Sequence, residues 1–274
     1  MVRRQLGAEL RRLREQTGRT SADVARELNW SDSKLSRIET AKIGLTDSDL
    51  DRLCKLYKVD ASIRDRLRTL TRQSRQRGWW EGYKDVLLDQ YEAYIAYEDE
   101  ASAIHGYHSM VVPGLLQTDE YARAVTVADS TPPDPAVIEQ KVQVRMARQA
   151  LLSREPAPQV EMVLDEATVR RQVGGPDVMR RQLRRLVTQG QRENISVRVL
   201  PFSVGAHRGI GGTFILLELD AEIGGPLVYC DGMTGGVIRS KPDELKSYQT
   251  AFKEISEAAL SPSDSADFLI AAAG

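Results

Sequence analysis

Cysteine, histidine and long apolar runs are scarce in this chain, and each scarcity removes a class of protein. Two cysteines, Cys54 and Cys230, cannot make a disulfide framework or a four-cysteine zinc site. Of the three histidines, His105 and His108 lie three apart, which puts them on opposite faces of a strand. A metal centre would need His207, Cys230 or carboxylates to converge on one of them, and nothing in the spacing requires it. No stretch reaches the ~18 consecutive apolar residues of a membrane-spanning helix. The opening Met1-Val2-Arg3-Arg4 leads into charge rather than an apolar segment, so no signal peptide is expected. The expected setting is cytoplasmic, with no membrane partner. There is no G-x-S-x-G elbow for a hydrolase. The glycine-rich stretches at 209–212 and 232–236 lack the Lys-Ser/Thr ending of a phosphate loop and read as turns. The chain is therefore expected to be no enzyme and to need no cofactor.

What is present is an uneven distribution of charge. The 274 residues carry 38 Lys+Arg and 39 Asp+Glu, a net of −1. Residues 1–77 hold 19 basic and 11 acidic side chains, a net of +8, which leaves 19 and 28, a net of −9, for residues 78–274. The near-neutral total is a basic head joined to an acidic body. That asymmetry points to a polyanion-binding module beside one that avoids polyanions, although solvated basic helices would give the same count. Two domains are expected, 1–77 and 78–274.

The head reads as short amphipathic helices. Leu6, Leu10 and Leu13 recur at helical spacing among arginines. Gly18 permits the left-handed conformation that ends this first helix. Thr20-Ser21-Ala22-Asp23 reads as an acidic capping box for a second helix with Val24, Ala25 and Leu28 inside. Asn29 tolerates the left-handed turn that follows. A third helix starts at the Ser31 cap, with Leu35 and Ile38 inward and Asp32, Ser33, Lys34 and Arg37 outward. A fourth is capped near Thr46, and a fifth, arginine-rich one runs past Leu70.

The segment GRTSADVARELNWSDSKLSRIETAK, Gly18 to Lys42, closely resembles the helix-turn-helix of lambda-repressor-like (Xre-type) domains, and the resemblance covers about residues 5–60. It implies that the third helix lies in the major groove with its first residues against base edges. By that resemblance Asp32, Ser33, Lys34 and Arg37 are the candidate base readers, and Ser21, Ser31 and Lys42 the candidate phosphate contacts. Lys34 and Arg37 suit guanine; Asp32 can accept from cytosine N4 or merely complement the helix dipole. The resemblance also pairs Arg14 with Glu39 as a brace for the third helix. Ser21 stands where many members carry glutamine, and Asn29 where most carry glycine.

The body alternates strands and helices. Val160–Leu164, Ile195–Leu200, Thr213–Leu219 and Leu227–Cys230 read as strands; Asp119–Val127, Ala136–Leu152, Pro176–Gln189 and Pro242–Ala259 read as helices. An α/β (α+β) body with a mixed sheet follows, behind an all-α head. The phrases RQRGWWEGY, YIAYEDEASAI, VPGLLQTDEYARA, LDEATVRRQVGGP, VLPFSVGAHRG and TFILLEL resemble the actinomycete WhiJ-like regulators, in which an Xre-type head precedes a large C-terminal domain. That resemblance implies a sequence-specific transcriptional regulator, a repressor, that binds an operator in double-stranded DNA as a homodimer. It further implies antitoxin-like modulation by a small protein partner encoded nearby. The alternative for the body is a one-component sensor of a small-molecule effector, with a pocket around Pro113–Gln117 and Phe202–Gly212.

Overall fold

The computed structural model describes residues 2–40, 43–75, 79–130, 132, 134–221, 224–232 and 235–274. The chain divides into two compact units, the first running to Trp79 and the second holding nearly all of the rest.

The first unit is helical: α1 (Val2–Gln16), α2 (Ser21–Glu27), α3 (Asp32–Glu39), α4 (Asp47–Leu56) and α5 (Ala61–Arg75). Local chemistry sets the boundaries. Thr20 accepts from the Asp23 amide (3.2 Å) while its own amide donates to the Asp23 carboxylate (3.0 Å), a reciprocal cap that satisfies two donors at the start of α2. Thr46 caps α4 with one bond, its hydroxyl accepting from the Asp49 amide at 3.1 Å. Gly18 and Asn29 both adopt positive φ, +70° and +50°, where a chain reversal requires it. Leu6, Leu10 and Leu13 of α1 meet Val24, Leu28, Leu35, Ile38, Leu50, Leu53 and Leu67 in one core. Gly7 lets α1 approach the end of α3: a Cβ there would lie 2.6 Å from the Glu39 carbonyl oxygen.

The second unit is built on a six-stranded sheet in the order β3-β2-β1-β4-β5-β6, formed by β1 (Ala103–His108), β2 (Gln159–Asp165), β3 (Ile195–Leu200), β4 (Phe214–Glu218), β5 (Leu227–Cys230) and β6 (Val237–Arg239). β1, β2 and β3 are parallel, joined through α7 (Asp119–Ala128), α8 (Pro135–Arg148), α9 (Glu166–Arg170) and α10 (Pro176–Gln189). β4, β5 and β6 form an antiparallel meander on the other side of β1. α11 (Pro242–Ala258) covers one face, packing Ala251, Phe252 and Ile255 on Tyr107, Val163, Phe214, Leu216 and Val228. The opposite face carries α6 (Asp89–Glu100), whose Tyr94 stacks on Tyr229 at 4.2 Å. The architecture is a helical N-terminal unit followed by an α+β unit with a mixed sheet.

Three elements differ from the sequence reading. The stretch after Leu260, small and polar at first and then apolar at Phe268-Leu269-Ile270, forms the helix α12 (Pro262–Ala273). It starts with Ser261 accepting from the Asp264 amide at 3.1 Å and Pro262 in its first turn. β6 and α9 are also absent from the sequence reading; each is too short to show a period.

Candidate nucleic-acid interface

The turn between α2 and α3 is set by the backbone. Asn29 reverses the chain, and the Trp30 amide donates to the Ala25 carbonyl at 2.8 Å, closing α2 as α3 begins. Leu35 and Ile38 anchor α3 in the core, which leaves its polar face outward. Behind that face lies a two-pronged ion pair. Arg14 Nε and Nη2 donate to the two Glu39 oxygens at 2.7 and 3.0 Å, and Arg14 Nη1 donates to the Arg19 carbonyl at 2.8 Å. Both side chains are largely buried. A buried pair with both forks satisfied fixes the angle at which α1 and α3 cross, and loss of one partner strands the other charge.

The sequence-nominated residues divide by their surroundings. Arg37 is exposed in the last turn of α3, and its guanidinium has no partner among the described residues. Ser33 is exposed beside it. Ser31 occupies the N-cap position with extended φ and ψ of −68° and 148°, but its hydroxyl makes no capping bond and stays uncommitted. Ser21 is half-buried at the start of α2. Asp32 opens α3, and its side chain lies outside the described residues, as does all of Lys42.

Lys34 stands in a setting that sequence reasoning missed. Its ammonium lies 3.0 Å from Asp49 of α4 and 4.2 Å from the centroid of the Trp30 ring. Arg52 of α4 lies over the same ring and donates to the Leu28 carbonyl. The Thr46 cap fixes Asp49 in the first turn of α4, so the cap of one helix holds the cation of another. To reach a base edge, Lys34 must leave both the carboxylate and the indole face. A tryptophan in the turn, with an Asp and an Arg three apart on the next helix, is the only signal the sequence offered, and it needs the fold to bring them together.

Elsewhere on the head, Glu9 joins α1 to α5. Hydrogen bonds from Arg12 hold its carboxyl below the usual range, and Arg66 adds to the effect. The resulting surface has cations with carboxylate partners along α1 and α5 and an unpartnered guanidinium on α3.

In the body, His105 and His108 do face opposite sides of β1: His105 points toward Glu161 and Phe252, whereas His108 is buried with its pKa pushed down to about 3 by desolvation. Among the described residues no group of three or more His, Cys, Asp or Glu side chains is placed to hold a metal ion. The first glycine-rich stretch forms a short 3-10 turn, pinned where His207 Nδ1 accepts from the Gly209 amide at 3.1 Å. Part of the second lies outside the described residues. No described helix is long and apolar enough to cross a membrane.

A short capped helix, a left-handed turn and a braced second helix with an outward cationic residue define a helix-turn-helix DNA-binding unit, here followed by a separate α+β body. A helix-turn-helix domain model matches residues 5–67. A domain of unknown function, DUF5753, matches residues 91–271, most of the chain, and the chain belongs to that family. No curated protein and no solved structure matches it.

Proposed function

We propose that this protein is a sequence-specific transcriptional regulator of the Xre type, related to the WhiJ-like regulators, that represses by occupying an operator as a cytoplasmic homodimer. The observation that carries the reading is the braced α3 with Arg37 exposed and unpartnered on its outer face. Two heads on one duplex read half-sites about one helical turn, roughly 34 Å, apart. Arg37 hydrogen-bonds a guanine edge, Ser33 and Asp32 flank it, and Ser21, Ser31 and Lys42 set the register on phosphates. Lys34 joins them only by exchanging Asp49 for DNA. Phosphate contacts release counterions, so affinity falls steeply with salt. The net charge of −9 on residues 78–274 keeps the body off the duplex and free for a second ligand.

In this reading the body performs no catalysis. It dimerises the chain and receives a small protein partner encoded nearby, whose binding changes operator occupancy; the resemblance to actinomycete regulators supports that partner. The test is co-expression with the adjacent small protein, followed by operator binding with and without it. Unchanged operator affinity in the co-purified complex rejects partner control. A second reading, control by a small-molecule effector, is favoured by one observation: an open cavity between the sheet and α11.

A further inference from the structure

One stretch of the acidic body is strongly basic. Residues 167–192 hold seven arginines, no lysine and one carboxylate, Asp177, a net of +6 within residues 78–274, whose net is −9. Most of that charge lies on α10. Met179, Leu183 and Leu186 of this helix are buried, and its C-terminal end lies on the sheet, where a Cβ on Gly190 would touch Val197 of β3 at 3.8 Å. The helical period then turns Arg180, Arg181 and Arg184 outward, and all three are exposed.

The cations of this face differ in what holds them. Arg180 pairs with Asp177 at 2.7 Å and Arg181 with Glu120 of α7 at 3.2 Å, all four side chains open to solvent, so each carboxylate is exchangeable. Arg171, which lies near Tyr121 beside Glu120, is exposed, and neither its guanidinium nor that of Arg184 makes a hydrogen bond or ion pair among the described residues. On the flank of α10 toward α8, Arg185 donates to Gln149 Oε1 at 2.6 Å, and Arg145 donates to Gln117 Oε1 at 2.9 Å. Gln149 donates in turn to the Gln117 backbone carbonyl at 2.8 Å, so amides link the two arginines. Both are half-buried and held by neutral oxygens, with no carboxylate in ion-pair reach among the described residues. Their charge is oriented but not offset, and the buried Arg185 Nε has no hydrogen-bond partner.

Arginine without lysine suits oxyanions gripped by two N–H groups at once, as carboxylates and phosphates are. A DNA duplex is charged along its whole length and would run from this face onto the acidic surface around it. A short acidic peptide segment ends where the face ends. We propose that the α10 face is a docking surface for an acidic segment of a partner protein, whose carboxylates pair with Arg171 and Arg184 and replace Asp177 and Glu120 on Arg180 and Arg181. This rests on the partner reading of the body, and the two fail separately.

Fluorescence anisotropy of a labelled deca-glutamate peptide with the full-length protein tests it. Saturable binding is expected, weakened about tenfold in the double variant Arg171→Gln with Arg184→Gln. Neither guanidinium has a partner to lose, so that variant keeps the wild-type melting temperature and the wild-type affinity for duplex DNA. Lys246→Gln with Lys253→Gln, which removes the same charge from α11, binds the peptide as the wild type does. No saturable binding, equal weakening by the two double variants, or a parallel loss of duplex affinity in the arginine variant overturns the surface. Co-expression with the adjacent small protein separates the claims: peptide binding that needs Arg171 and Arg184, in a wild-type chain that does not co-purify with that protein, leaves the surface standing and removes that protein as its occupant.

Discussion

Each unit of the molecule buries an arginine against a glutamate, and the two pairs sit in different surroundings. In the head, Arg14 and Glu39 meet across 25 residues of sequence under the back of α3, with the helix's polar face left to solvent. In the body, Arg148 and Glu98 meet across 50 residues, with Glu98 nearly inaccessible and the Tyr91 and Tyr94 hydroxyls on the guanidinium. Desolvation and the adjoining Glu98 raise the Tyr94 hydroxyl well above its ordinary pKa. The first pair aims a surface; the second closes an interior. The body pair lies deeper, with side-chain exposures of 6% and 2% against 11% and 5% for the head pair.

The largest effect that separates the two is expected in the body. Arg148→Ala leaves Glu98 buried and uncompensated, a loss of roughly 3–5 kcal/mol, read as a lower melting temperature with the head's DNA affinity preserved. Replacing both partners together, Arg148→Met with Glu98→Leu, restores most of that stability, since a packed apolar pair offsets the lost ion pair. In the head, Arg14→Ala costs about 3 kcal/mol and also weakens DNA binding, because α3 loses its brace. Equal effects of the Arg14 and Arg148 variants on DNA affinity would erase the distinction between the pairs.

Gly7→Ala comes next. Its Cβ meets the Glu39 and Ile38 carbonyl oxygens at 2.6 and 2.9 Å, and backbone cannot yield as a side chain can, so about 1–3 kcal/mol is lost from the head alone.

The body carries a pH response of its own. His108 is buried with its pKa lowered to about 3, against about 6.5 when unfolded. Between those values the unfolded chain binds the extra proton, so stability is complete above pH ~6.5 and drains away as the pH falls toward 3, by at most about 1.4 kcal/mol per pH unit. Denaturant melts from pH 7 to 4 should show His108→Gln with a shallower decline. An unchanged slope would mean that His108 is protonated in the native body.

Much of this was written locally in the sequence. Thr20 with Asp23, Thr46 before α4, and Pro176 at the start of α10 are signals that span at most four residues, and the structure places helix ends there. β3 and β5 match their expected bounds because apolar β-branched runs stand between turn residues. α12 was missed although Ser261-Pro262-Ser263-Asp264 is a helix start, because the residues after it are mostly small and show no clear apolar stripe. The interactions that shape the sites are not local. The Lys34–Asp49 contact joins two helices, and the row of Glu161, His105 and Leu216 exists only once three strands are in register. Composition and spacing carry no information about register, so that row is legible only after the strands are paired.

The Lys34 contact gives the smallest expected effect. With its ammonium held by Asp49, Lys34→Ala should change specific affinity by less than about 1 kcal/mol, and Asp49→Asn should raise affinity for all duplexes by freeing a cation. A loss at one base position in Lys34→Ala would show instead that Lys34 leaves Asp49 to read DNA.

The central claim is that α3 reads DNA through Arg37. Its most direct measure is a fluorescence-anisotropy titration of duplexes selected from random sequence, against a scrambled duplex, with wild-type protein and Arg37→Ala at one salt concentration. The expected result is a loss of about 1–3 kcal/mol on the selected duplex, with discrimination relaxed at a single base position. Wild-type affinity and discrimination in Arg37→Ala would contradict the assignment of α3 as the recognition helix.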